Sequence, residues 1–155
     1  MQGLLAGLEA TPLAAVLRGS VWLYPLVNAA HIAGIALLFG AITALDLRLI
    51  GLWPRQSAAV LSRVLTPVAV AGFALAASMG ALLFICKASE YAAASLFQAK
   101  MAVVAFGVVN AALAWRWMRH SGAGQAIPRR VRAAAAASLA TWLSAILLGR
   151  LVGYF

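Results

Sequence analysis

Negative charge is nearly missing from this chain: three Asp and Glu side chains stand against twelve Lys and Arg in 155 residues. Charge of either sign makes up only 10% of the sequence, while 65% is hydrophobic. A water-soluble domain carries about 25% charged and about 45–50% apolar residues, so the scarcity of charge excludes that class. The single cysteine, Cys86, excludes an intramolecular disulfide framework and any multi-cysteine metal site. So few acids supply no carboxylate pair for acid–base work, and no Ser, Thr or Cys stands with a base and a carboxylate to orient it. A glycine loop that would cradle phosphate is missing too. An autonomous hydrolase or kinase is therefore not expected. The excess of cations does not point to nucleic acid, because most of them flank apolar segments.

What the sequence has in abundance is long apolar runs. Mean hydropathy is +0.98, and a bilayer-crossing helix needs about 20 mostly apolar residues. Four stretches qualify: Val21 to Leu45, interrupted by Pro25 and His31; Val64 to Cys86, whose Thr66-Pro67 suits a helix N-terminus; Leu96 to Trp115, containing Lys100; and Ala133 to Val152, containing Arg150. The expected fold is all-α, a single transmembrane domain built as a four-helix bundle, with no space in the length for an extramembrane domain.

Cations set the expected orientation. Eight of them (Arg48, Arg55, Arg63, Arg116, Arg119, Arg129, Arg130 and Arg132) lie in the loops after spans one and three, and four (Arg18, Lys87, Lys100 and Arg150) lie on the other side. The arginine-rich side should be cytoplasmic and both termini periplasmic, in a bacterial inner membrane. Trp53, Trp115 and Trp117 would mark the inner interface, and Trp22, Tyr24, Tyr91 and Tyr154 the outer one. Residues 1–20 lack the basic start of a signal peptide and contain Glu9; Thr11-Pro12 with Leu13, Val16 and Leu17 reads as a short interfacial helix. Lys87 to Ser95 suggests a second such element with Ser89 as its N-cap, and Ser121 to Pro128 a turn-rich loop whose following arginines face anionic headgroups.

Helices in lipid associate by close packing, which small residues four apart permit. Span one carries Ala30 with Gly34 and Ala36 with Gly40; span two Gly72, Ala76 and Gly80; span three Ala99, Gly107 and Ala111; span four Ala137, Thr141, Ala145, Gly149 and Gly153. These stripes serve either packing within the bundle or self-association into an oligomer.

Polar groups within the spans each need a reason, since a charge at mid-bilayer costs about 2.5–3.5 kcal/mol on insertion scales. His31 lies near mid-bilayer, displaced toward the outer side, with Asn28 one turn earlier. Its imidazole either bonds Asn28, Ser78 or a backbone carbonyl, or serves as a metal or haem ligand or a proton relay. Lys100 and Arg150 either snorkel to the outer headgroups or face inward, where they would favour an anion such as a haem propionate or lipid phosphate. Met79 lies at a depth comparable to His31 and is the candidate second axial ligand. Asp46 is expected to pair with Arg116, Arg63 or Arg48, and Asn110 to bond a neighbouring helix. His120 falls in a cationic interfacial cluster and reads as solvated.

The run Trp22-Leu23-Tyr24-Pro25, then His31, Gly34, Leu37-Leu38, Gly40 and Asp46-Leu47-Arg48-Leu49-Ile50-Gly51 resembles a family of small bacterial inner-membrane proteins of unknown function. The likeness continues through Gly72-Phe73, Gly80, Phe97, Lys100, Asn110, Gly149-Arg150 and Tyr154. More distantly the chain is similar to copper-resistance D-like and cytochrome b-like membrane proteins, which implies a span histidine that ligates haem or metal. The leading expectation is a non-catalytic membrane subunit or anchor. Its outer-side pocket would be formed by His31, Asn28, Met79, Lys100 and Arg150 and would hold haem b or a quinone. The alternatives are a small metal-ion or anion transporter or channel, and a structural scaffold that docks other membrane subunits through its small-residue stripes.

Overall fold

A computed structural model describes residues 2–119 and 127–154; His120, most of the loop from Ser121 and the C-terminal Phe155 lie outside the described residues. Among the described residues there are helices and no strands. Four helices are long and apolar enough to cross a membrane: α3 (Leu23–Ile50), α4 (Ala58–Cys86), α6 (Ser95–Arg119) and α7 (Arg129–Leu151). Three short helices, α1 (Gln2–Glu9), α2 (Pro12–Gly19) and α5 (Ala88–Ala93), gather at one end of the bundle, the terminal end. The loop 51–57 and the start of α7 form the other, arginine-rich end.

The spans run longer toward the arginine end than hydropathy suggests. α3 continues past Leu45 to Ile50, because Asp46 and Arg48 fit the helix: the first is buried, and the second bonds the carbonyls of Pro54 and Gln56 and so fastens the following loop. Gly51 then ends α3 at φ 136°, a conformation that favours glycine. Thr66-Pro67 is not a helix start. α4 begins nine residues earlier, where Ser57 caps it by accepting the Val60 N–H, and Pro67 sits inside the helix. Transmembrane helices tolerate such a proline when nearby hydroxyls or helices cover the freed backbone, and Ser62 and Thr66 bond each other in that turn. Pro25 lies in the first turn of α3, where no intrahelical donor is lost.

The terminal end carries two corrections. The first twenty residues form two helices rather than one, with Thr11 both capping α2 and donating to Leu8. Ser89 is not a cap: its own backbone N–H is capped by the Glu9 carboxylate at 2.7 Å, supplied from α1 across eighty positions. Arg18 completes the knot by donating to the carbonyls of Cys86, at the end of α4, and of Glu9, at the end of α1. A guanidinium is suited to carbonyls left unpaired at helix C-termini. The outer aromatic residues Phe84, Tyr91 and Phe97 stack beside this knot, and burial together with Tyr24 pushes the Tyr91 hydroxyl above its ordinary pKa.

The spans pack in the order α4, α3, α7, α6. The tightest seam is α3 against α4. A methyl group placed on Gly34 would stand 2.6 Å from the Ala76 nitrogen, and one on Gly72 would stand 2.5 Å from the Leu38 nitrogen, so the two backbones touch there. Gly107 lets α6 approach Thr141 and Trp142 of α7, and the Asn110 amide donates to the Ala134 carbonyl at 2.9 Å as an interhelical clasp. Thr141 and Ala145 of the long α7 stripe are buried within the bundle, whereas Gly40 meets nothing. Leu38, Ala41, Ala69, Trp142 and Ala145 form the central core, and Leu49, Val131 and Ala135 a smaller one at the arginine end. Among the described residues α4 and α6 touch through the Phe84 and Phe97 rings at the terminal end and stay apart over the rest of their length. The bundle is open on that side.

Candidate functional site

His31 falls on the same stripe of α3 as Gly34 and Leu38, so the glycine seam carries it against α4. Its Nδ1 bonds the Ala76 carbonyl oxygen at 2.7 Å. A carbonyl only accepts, so Nδ1 carries the proton in this bond and a neutral ring keeps its lone pair on Nε2. Gly80 provides the space beside the ring: a Cβ there would lie 3.0 Å from the imidazole Cε1. The ring is half-buried and oriented by backbone. Of the partners that sequence left open, the structure selects the carbonyl. Ser78 instead donates to Ala74 of its own helix, and Asn28 is exposed.

Lys100 faces inward. Its aliphatic end and Nζ lie over Gly149 of α7, where a Cβ would stand 3.4 Å from the nitrogen, and the ammonium is close enough to His31 for the two to interact electrostatically. Two glycines thus make room for two polar side chains, Gly80 for His31 and Gly149 for Lys100. None of the three acidic side chains neutralises this lysine: Glu9 caps Ser89, Glu90 pairs with Lys87 at 3.0 Å, and Asp46 lies toward the arginine end. Arg150 does not join them. It is exposed, donates to the Tyr154 hydroxyl at 2.6 Å and stacks over that ring. Met79 is half-buried, next to Gly80, and makes no hydrogen bond with His31. The structure therefore brings together two of the five sequence-predicted site residues, His31 and Lys100. Among the described residues no group of three His, Cys, Asp or Glu side chains converges as a metal site.

A second feature lies in the other half of the bundle. The gap between α4 and α6 deepens into a cavity of about 480 Å³ walled by all four spans. Its wall is almost wholly apolar, and it contains Asp46, Ser138 and Trp142. Asp46 is 7% exposed and Trp142 5%. Ser138, not an arginine, is the hydrogen-bonding neighbour of the carboxyl; its hydroxyl offers a proton at a depth where a guanidinium would need far more solvation. The other carboxyl oxygen, Oδ2, and the Trp142 Nε1 have no partner among the described residues. Trp142 meets Phe73 edge to face at 6.4 Å, and this ring pair belongs to the apolar layer between His31 and Asp46. Sequence reasoning missed the cavity. The available signal was Ser138 and Trp142 four apart on span four, one helical turn and the same face.

Comparison of the chain with protein-family models, with curated proteins and with solved structures gives no match. The multi-pass membrane architecture rests on the four long apolar helices themselves.

Proposed function

We infer that the protein is a non-catalytic integral membrane subunit whose outer-half site, His31 with Lys100, holds a ligand of the haem b or quinone class. The observation that carries this reading is the fixed imidazole. Its Nδ1 is anchored to a backbone carbonyl, the arrangement that orients a ligating histidine and leaves Nε2 as the donor. His31 Nε2 would hold a haem iron, and the Lys100 ammonium, without an acidic partner, would meet a propionate. A quinol would use the same two groups, its hydroxyl donating to Nε2 and its second oxygen accepting from Lys100. Bound haem would supply one-electron chemistry; this chain's residues orient the ring, place the cation and exclude water. Met79 is not engaged with His31, so any further protein ligand to the group would come from another copy or another subunit.

The positive-inside count puts the arginine end in the cytoplasm and the His31 end, with both termini, at the periplasmic side of a bacterial inner membrane. The apolar layer of Leu38, Ala41, Ala69 and Trp142 between His31 and Asp46 favours anchoring over a polar conduction path. The open notch at Ala36 and Gly40 on α3 leaves room for a helix of another subunit. The resemblance to small four-span inner-membrane proteins is part of this reading.

Purified protein from haem-replete cells, examined by absorption spectroscopy and by organic extraction for quinones, tests it. A Soret band or a stoichiometric quinone that His31→Ala removes and Lys100→Met weakens supports the site. A folded protein with neither ligand, or a ligand retained unchanged by His31→Ala, overturns it.

A further inference from the structure

We propose that the cavity between α4 and α6 is a second ligand site, entered from the lipid, for a lipophilic molecule bearing a hydroxyl group. The site is distinct from the His31 site, and the proposal stands without that reading. A cavity of about 480 Å³ lies within the range of small-molecule pockets, about 300–1,000 Å³. Because the backbones of α4 and α6 stay apart beside the cavity, its side opening faces the bilayer rather than water, so the occupant must be apolar over most of its surface. An acyl chain satisfies that requirement but leaves the buried Asp46 Oδ2 unmet.

The carboxyl chooses the head group. Asp46 Oδ2 lacks a donor. An ammonium would donate but would also approach the end of the protein where arginines concentrate. A ketone or ether brings acceptors alone. A hydroxyl donates without bringing a positive charge. The carboxyl's terminal torsion is soft, so a modest turn brings Oδ2 to the cavity surface while Ser138 holds the other side of the group. The rings of Trp142 and Phe73 in the cavity wall favour an aromatic alcohol, whose flat face they can cover.

The test uses the full chain in lipid nanodiscs with a matched pair of probes, 4-octylphenol and its methyl ether, binding being read by quenching of tryptophan fluorescence. Saturable binding of the phenol is expected, with the ether weaker by about tenfold, the loss expected when a buried hydrogen bond goes unmade. Asp46→Asn should weaken the phenol about as much and leave the ether unchanged. Ala111→Phe, at an exposed position of the cavity wall on α6, should abolish saturation for both probes while helix content stays as in the wild type. Equal affinities for phenol and ether, non-saturable partitioning of both, or unaltered binding to Ala111→Phe would overturn the proposal. The first two outcomes identify an acyl-filled cleft.

Discussion

The two faces of α4 are equally apolar in sequence and have opposite fates. One presents Gly72 and Ala76 to α3 and is pressed backbone to backbone; the other looks toward α6 across a gap bridged by the Phe84 and Phe97 rings at the terminal end and open beside Asp46. In water both faces would be driven into contact, because exposed apolar area is costly there. In lipid that drive is gone, and what brings helices together is the closeness of fit. Where glycines allow approach, the seam is tight enough to orient His31. Where they do not, the space becomes a lined cavity.

Substitutions that exchange these fates give the largest effects. Gly72→Leu places a side chain where even a methyl group would stand 2.5 Å from the Leu38 nitrogen. It should destabilise the fold by more than the about 1–3 kcal/mol typical of overpacking, seen as loss of the monodisperse peak in mild detergent or as a much earlier unfolding midpoint in SDS titration. Asn110→Leu tests the clasp that holds α6 to α7 in the half of the bundle where α6 has no help from α4. The expected loss is about 0.6–2 kcal/mol, read by the same titration, and unchanged stability would mean that Gly107 packing alone sets the seam. Gly40→Leu falls on an open part of α3. It should shift the midpoint by no more than about 0.5 kcal/mol, while any loss of copurifying membrane partners would mark the notch at Ala36 and Gly40 as a docking point.

How much of this was legible in the sequence depends on the kind of signal. The four crossings were, because an unbroken apolar run needs no partner to be recognised. Their ends were less so: Pro67 signals a helix start in isolation, but a membrane helix tolerates it in its interior, and Ser57 farther back offers the better cap. Glu9 read as a break in an apolar stretch, yet its carboxylate caps α5, a role visible only when residues eighty positions apart meet. His31 and Lys100 were picked out because each is costly where it stands. Arg150, chosen by the same reasoning, turns to Tyr154 and the exterior, since one residue's difference around a helix, about 100°, separates an inward from an outward side chain.

Composition and periodicity alone determined that this is a chain of apolar crossings with a strong charge asymmetry, because transfer of the backbone and of charge into lipid is governed by properties of the segment itself. Only the tertiary structure decided that the α3–α4 seam holds an imidazole by a carbonyl, that a lysine lies over a glycine facing it, and that α4 and α6 stand apart around Asp46 and Trp142. Those outcomes depend on which small residues face one another across helices, and on the angle at which each helix arrives. Neither quantity belongs to any one segment.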